Sequence, residues 1–303
     1  MRYRVALLGL GGISRAHLRG YLSAENADRV KVVAGADISE EARQWFAELG
    51  RTYADYRELL ERERPDVVSI CTWPPLHPEM VEAAAAVGVK GILCEKPMAV
   101  DLGSADRMVS AARTSNAVLA VGHQRRLLPR YTRAREMIAS GDIGELIQVS
   151  AICAGDLLSD GTHAVDLLRF LTGDAPAVWV MGNVDLREAR TRYGHPVEMG
   201  SSAVIHFTNG VRGTLETGTC ARPGYQRMLV YGSEGQIEIC GDKPVAGEPP
   251  LRARVRGQSE WFVPELSHVE AFSCEIALLL DAMERGTPHP LDGVSARATQ
   301  EIL

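Results

Sequence analysis

The first 22 residues constrain the fold more than any other stretch. An apolar, β-rich run at residues 4–9 opens straight into Gly9-Leu10-Gly11-Gly12-Ile13-Ser14, and an amphipathic helical stretch follows at 13–22. This is the pattern G-x-G-x-x-(G/A), with Ser14 as the small last residue, in a strand–turn–helix context. Glycines there allow a tight turn and the close approach of a pyrophosphate, which then sits on the free N–H groups of the helix N-terminus. An ordinary glycine-rich strand–helix turn is the plainer alternative.

The rest of the first 122 residues repeats the alternation. Strand-like runs at 30–36, 66–71, 91–94 and 118–121 are separated by helical stretches at 40–49, 55–62, 78–87 and 105–113. Strand, helix, strand at this spacing predicts a doubly wound parallel sheet, and near-continuous apolar strands fit a sheet covered on both faces. Asp55 reads as an N-cap and Gly50 as the close of the helix before it.

After Gln124 the texture changes. A helix at 129–140 ends at Gly141, a strand follows at 145–153, and a helix at 162–171 carries Ala164, Leu167, Leu168 and Leu171 on one face. From 175 to 263 the segments are all β-type: 178–184, 202–207, 211–217, 226–231 and 236–240, with Asn209-Gly210 as a hairpin turn. Helices return at 267–285 and after Asp292. The expected organisation is an α/β chain of two domains. Residues 1–124 form a dinucleotide-binding Rossmann domain. Residues 125–303 form an α+β domain with a large, mostly antiparallel open sheet. There are no internal repeats, and 241–250 is the nearest thing to a loose loop. Residues 296–303 read as a helix without a C-cap signal, so the chain is expected to stop inside a helix.

Composition narrows the function. With 303 residues, 46% hydrophobic and 24% charged, the chain can bury a core without disulfide or metal staples. Lys plus Arg number 33 against 39 Asp plus Glu, a net charge of −6, which excludes a broadly basic nucleic-acid or membrane-surface protein. Six scattered cysteines without a C-x-x-C spacing argue against zinc and redox motifs and for reduced core residues, and no metal site is expected. No apolar run approaches the ~18 residues of a membrane span. The amino-terminal apolar run meets Gly11-Gly12, Arg15 and His17 with no small-residue cleavage site, so a cytoplasmic protein is expected.

Three further features carry chemistry. Asp37 closes the second strand, 23 residues after Ser14, where an acidic residue accepts hydrogen bonds from an adenosine ribose and favours NAD over NADP. A helix cap is its alternative role, and Arg43 reads as too distant for a 2′-phosphate ligand. Cys94-Glu95-Lys96-Pro97 ends another strand; only four of the basic residues are lysines, and Lys96 stands where ligands bind in such sheets. There it can hold a substrate hydroxyl and stabilise alkoxide character, and Lys96-Pro97 is a candidate cis peptide. The alternative is a solvated strand-end lysine. In Asp160-Gly161-Thr162-His163-Ala164-Val165-Asp166, His163 and Asp166 share a helix face offset from the leucine stripe. A neutral imidazole is a natural acceptor of a hydroxyl proton, although a partly exposed first-turn histidine is the commoner case.

In this order, a G-x-G-x-x-(G/A) turn, a strand-end Glu-Lys-Pro and a later G-x-H-x-x-D helix resemble the Gfo/Idh/MocA family of NAD(P)-dependent oxidoreductases. Val121-Gly122-His123-Gln124-Arg125-Arg126, Gly141-Asp142-Ile143-Gly144-Glu145 and Pro288-His289-Pro290-Leu291-Asp292-Gly293 extend the likeness over nearly the whole chain. The resemblance implies Lys96 and His163 as the catalytic pair. It implies Arg125, Arg126, Asp160 and Asp166 as substrate or supporting residues. Gly9, Gly11, Gly12, Ile13, Asp37, Thr72, His77, Glu95 and Lys96 become the cofactor contacts.

This chain departs from the family pattern in places. Many members carry Asp four residues before the catalytic His; here Ser159 stands there, with Asp160 one residue later. Either the turn differs and Asp160 serves, or the proton relay lacks its acid. Thr72-Trp73-Pro74-Pro75-Leu76-His77 lacks the usual Asn and inserts a Trp, which favours a structural role for His77 at a helix start. Family members continue for another helix or so. Arg125, Arg126, Arg130, Arg133 and Arg135 crowd one stretch, read either as a solvated face or as an anion site.

The expected activity is hydride transfer between NAD (or NADP) and a secondary hydroxyl or keto group of a sugar, polyol or sugar derivative. Two rivals share the fold: an NAD-dependent glycosidase that oxidises transiently and eliminates, and a non-catalytic dinucleotide-sensing protein. A small-molecule substrate is expected, without nucleic acid or membrane, in a homodimer or homotetramer formed through the second domain's sheet.

Overall fold

The computed structural model describes residues 2–218, 226–241 and 247–303, so Cys220 and Lys243 lie outside the described residues. The chain divides into two compact units, Met1–Gln124 with Glu270–Gln300, and Arg125–Val269 with Glu301–Leu303.

The first unit runs β1 (Tyr3–Leu8), α1 (Gly12–Tyr21), β2 (Val30–Ala36), α2 (Glu40–Phe46), β3 (Arg51–Tyr53), α3 (Tyr56–Glu63), β4 (Val67–Ile70), α4 (His77–Ala86), β5 (Gly91–Cys94), α5 (Leu102–Ser115) and β6 (Val118–Val121). The strands form one sheet in the order β3-β2-β1-β4-β5-β6, all pairs parallel. The order reverses between β1 and β4, and a crevice opens at the carboxyl ends of strands at such a reversal. Side chains along β1 alternate between two cores: Val5 and Leu7 pack with Leu18, Tyr21 and Phe46, while Ala6 and Leu8 pack with Val81, Ala84 and Met108. The edge strand β3 escaped the sequence reading because three residues without an apolar run carry too little pattern. Gly50 also differs from expectation. α2 ends at Phe46, and a Cβ on Gly50 would lie 2.7 Å from the Val33 carbonyl oxygen, so glycine there permits close approach to β2 rather than capping a helix.

The second unit contains α6 (Pro129–Ala139), β7 (Leu146–Cys153), α7 (Thr162–Leu171), β8 (Ala177–Val184), β9 (Arg190–Arg192), β10 (His195–Val197), β11 (Gly200–Phe207), β12 (Arg212–Gly218), β13 (Gln226–Gly232), β14 (Gln236–Cys240) and β15 (Leu251–Arg254). Its seven-stranded sheet has the order β15-β14-β13-β7-β12-β11-β8, antiparallel except for the parallel pair β7–β12. Gly210 takes φ +82° in the hairpin between β11 and β12, the left-handed conformation that the Asn-Gly turn demands. Val149, Ala151 and Cys153 of β7 face a core completed by Ala164, Leu167 and Leu168 of α7. The alternate residues point the other way: Ile152 is exposed, and Trp179 stacks on His206 at 5.4 Å.

Two last helices, α8 (Ala271–Arg285) and α9 (Gly293–Gln300), correct the expected domain limits. The sequence reading placed 125–303 in one domain, yet Ile276, Leu279 and Leu280 of α8 join Val5, Leu7 and Leu93 on one face of the first sheet, and Ala296 of α9 joins the other face. The first sheet needs apolar cover on both faces, and part of it arrives from the far end of the sequence. A helix's periodicity shows that it has a buried stripe but not which sheet the stripe meets. Among the described residues, no helix is long and apolar enough to cross a membrane.

Candidate active site

In the first unit the glycine turn sits at the reversal of strand order. Gly9 has φ +90°, and a Cβ there would lie 2.8 Å from the Cys71 backbone, so glycine is required twice over. Gly11 caps α1 with no side-chain hydrogen bond, and a Cβ on Gly11 or Gly12 would meet nothing within 4 Å. The helix N-terminus therefore faces open space with uncapped N–H groups, which suits an anion. Ser14 is buried and its hydroxyl donates to the Gly11 carbonyl at 2.6 Å, which lets the first turn pack closely.

Asp37 stands beside this turn. One carboxylate oxygen accepts from the Leu10 N–H at 2.7 Å and the other from the Ser39 N–H at 2.8 Å. A carboxylate has about four lone-pair sites, so capacity remains for two ribose hydroxyls. A pocket of ≈ 330 Å³ is lined by Gly9, Gly11, Asp37, Ile38, Thr72 and Trp73 among others. Ile38 is 92% exposed at its rim, which is unusual for isoleucine unless something covers it. These residues fit NAD: α1 would hold the pyrophosphate and Asp37 the ribose, with Gly9, Gly11, Gly12, Ile13 and Thr72 around them. Arg43 is nearer than its sequence position indicated, because its guanidinium donates to the Asp37 and Ile38 carbonyls at 2.7 and 3.0 Å.

A cofactor prediction follows from that pair. NAD should bind about tenfold or more tightly than NADP, since a hydrogen bond to a charged acceptor contributes roughly 1.5–3 kcal/mol. Asp37→Ala should erase the difference, since it removes the only carboxylate assigned to the ribose. Equal affinities of the unmodified protein for the two cofactors, measured by calorimetry, would refute the assignment.

Lys96 follows β5, and the Lys96-Pro97 bond is cis, as the sequence led us to expect. Behind it runs a buried polar chain. The Tyr21 hydroxyl lies 2.9 Å from Ser69 Oγ, which lies 3.1 Å from His17 Nδ1, and His17 Nε2 lies 2.8 Å from Glu95 Oε1. The other Glu95 oxygen accepts from the Lys96 N–H at 3.1 Å. Burial opposes a charge on His17, but the Cys71 sulfur and the Glu95 carboxylate overcome it and raise the pKa to about 10. Burial likewise opposes ionisation of Glu95, and the His17 hydrogen bond and charge prevail, lowering its pKa. A buried His17⁺–Glu95⁻ pair results.

Two expected cofactor contacts are thereby corrected. Glu95 points into the protein at His17, and His77 is wholly buried with its ring nitrogens 3.0 Å from the Pro97 carbonyl oxygen and 3.1 Å from that of Thr72. Burial lowers the His77 pKa, so the ring is neutral and donates to one carbonyl at a time. Both residues brace the turn carrying Lys96. Near them, Glu275 of α8 is fully buried, and neither carboxyl oxygen has a hydrogen-bond partner among the described residues. Burial, reinforced by Glu95 and Glu270, pushes its pKa well up, so it is a neutral acid.

In the second unit His163 lies in the first turn of α7 and is 4% exposed. A π-helical turn, Leu157–Gly161, precedes it, with the Gly161 N–H bonded to the Asp156 carbonyl at 3.0 Å. Such turns hold one extra residue and cluster at functional sites. Asp160 in that turn is not a free acid: Arg192 Nη1 of β9 bridges Asp160 Oδ2 at 2.6 Å and Asp156 Oδ2 at 2.8 Å.

Arg126 and Asp166, expected at the substrate, engage each other instead. Arg126 is 4% exposed, binds Asp166 through Nε–Oδ2 at 2.7 Å and Nη2–Oδ1 at 2.8 Å, and reaches Asp174 at 2.7 Å. A guanidinium so enclosed cannot also clamp a ligand; it fixes α7. The arginine-rich stretch resolves the same way, with Arg130 on the Cys240 and Gly241 carbonyls, Arg133 on Glu136 and Arg135 on Asp174. Arg126 belongs to a 3₁₀ turn before α6, so it does not share a helical face with Arg130 and Arg133. Arg125 donates to the Gln226 side-chain carbonyl. Sequence reasoning missed His17, Arg192 and Gln226. A histidine on the buried face of α1 was the one available signal, since the other two meet their partners through long-range contacts.

A glycine turn at the switch point of a parallel sheet, an open helix N-terminus and an aspartate at the end of the second strand are the features of an NAD-binding oxidoreductase of the Rossmann type. Residues 3–123 match the model of the oxidoreductase family with an NAD-binding Rossmann fold, and residues 131–238 match the GFO/IDH/MocA C-terminal domain. The chain belongs to the GFO/IDH/MocA family. It is 29% identical over 329 aligned residues to an inositol 2-dehydrogenase of Rhizobium meliloti, covering 98% of this chain and 94% of that one. It is 27% identical over 254 residues to a myo-inositol 2-dehydrogenase of Thermotoga maritima, covering 77% and 74%. In fold it resembles an oxidoreductase from Agrobacterium radiobacter solved with NAD⁺, L-tartaric acid and magnesium, with TM-score 0.83, 18% identity, and 100% and 94% of the two chains covered.

Proposed function

We propose that this oxidoreductase is an NAD-dependent dehydrogenase acting on a secondary hydroxyl of a sugar, polyol or sugar derivative. The observation that carries the reading is Lys96, the cation at the carboxyl end of β5 on a turn braced by His77 and Glu95, in the unit that holds the open α1 terminus and Asp37. The two inositol dehydrogenases named above support a polyol as the substrate class.

NAD, when bound, supplies the hydride acceptor. His163 takes the hydroxyl proton as general base, a role the imidazole ring can fill. Lys96 stabilises the negative charge that develops on the hydroxyl oxygen. The Arg126–Asp166 pair keeps α7, and hence the imidazole, in one orientation. Asp160, neutralised by Arg192, supports the π-helical turn rather than relaying protons. In a panel of myo-inositol, aldoses and linear polyols with NAD, at least one member should give sustained absorbance growth at 340 nm. A panel without any turnover would overturn the reading.

A further inference from the structure

Gln226 has a side-chain donor that no other described residue accepts. It opens β13 opposite Cys153 of β7, and the register of Glu216 with Ile152 places Thr217 of β12 on the other side of Cys153. Met228 and Val230 of β13, Ala151 and Cys153 of β7, and Leu215 of β12 all lie in the helix-covered core. By strand alternation Gln226 and Thr217 face the same side. α7 begins shortly after β7 ends and packs over this face, and a Cβ on Gly161 would lie 3.2 Å from Thr217 Cγ2. The row Thr217, Cys153, Gln226 therefore lies at the sheet end where the first turn of α7 carries His163.

Gln226 is 4% exposed, and its carbonyl oxygen accepts from Arg125 Nη1. Arginine only donates, so this contact fixes which way the amide points. The NH₂ group must face away from Arg125, and there Nε2 is buried without a hydrogen-bond partner among the described residues. Buried donors are nearly always paired in folded proteins. An oriented amide donor with no acceptor among the described residues, on the face and at the sheet end of the candidate base, is the arrangement of a group that meets its acceptor in a ligand.

We propose that Gln226, oriented by Arg125, is a specificity-determining residue whose side-chain NH₂ donates to a hydroxyl oxygen of the polyol or sugar substrate. The assignment rests on the dehydrogenase reading. Arg125 then acts on the substrate through Gln226, which explains how an arginine beside the site serves a neutral polyol.

The test compares Gln226→Met with the unmodified protein on the members of the 340 nm panel that are turned over, and on monodeoxy analogues of the best one. Loss of one neutral hydrogen bond should raise KM about tenfold, leave kcat within about threefold and leave NAD affinity unchanged. For the analogue lacking the hydroxyl that Gln226 reads, variant and unmodified protein should have the same KM, which a merely structural role would not produce. If Gln226→Met melts early, Gln226→Asn keeps an amide but withdraws it by one methylene, and should show the same KM pattern. An unchanged KM on every substrate would overturn the proposal and show that the NH₂ binds only water. A panel inactive with the unmodified protein would instead overturn the dehydrogenase reading, and this inference with it.

Discussion

Lys96→Ala and His163→Ala should each lower turnover on the best substrate by roughly 10²–10⁴-fold, and Lys96→Ala/His163→Ala should be far less impaired than the product of the two losses. Removing a general base and removing the cation that stabilises the developing charge each cost a factor of that size. Because both serve one proton transfer, the second removal has little left to abolish. NAD affinity by calorimetry should survive all three changes, since the pyrophosphate and ribose are assigned to the α1 terminus and Asp37. Near-normal activity of His163→Ala would show that the base is wrongly assigned. A bound water would then be the next candidate, ahead of Asp160, because Arg192 holds that carboxylate at 2.6 Å.

Arg126→Ala should destabilise the protein by about 3–5 kcal/mol, the usual consequence of leaving one charge of a buried pair uncompensated. Asp166 and Arg126 have side chains only 3% and 5% exposed, so water cannot solvate the charge that remains. Asp166→Ala should be comparably damaging, while Arg126→Met/Asp166→Leu, which removes both charges and keeps apolar volume, should lose much less. Urea unfolding monitored by circular dichroism measures the difference. Arg126→Ala within about 0.5 kcal/mol of the unmodified protein, the range of an ordinary surface substitution, would show that the pair does not anchor α7.

The parallel sheet was legible because each of its longer strands carries its own signal: an apolar run, a turn and a periodic helix within about thirty residues. β2, β5 and β6 were read to the residue, whereas the three-residue β3, β9 and β10 had too little pattern to register. The glycine turn and Asp37 were legible for the same reason, since their chemistry depends on spacing within one strand–turn–helix unit. Arg126 and Asp166 were found but misassigned. Charge and proximity to a motif identify residues near a site, but only the fold shows that this arginine and this aspartate, 40 positions apart, face each other. Gln226 and Arg192 were invisible because each acquires its meaning from long-range partners. α8 was recognised as a helix and given to the wrong unit, since its leucines read the same against either sheet.

Hydride removal to NAD is the central claim, and product stoichiometry tests it most directly. With the best substrate of the panel, NADH measured at 340 nm should accumulate in a one-to-one ratio with keto product, counted by mass spectrometry. A protein that releases the aglycone of an aryl glycoside with no net NADH would contradict the account, because transient oxidation followed by elimination returns the hydride.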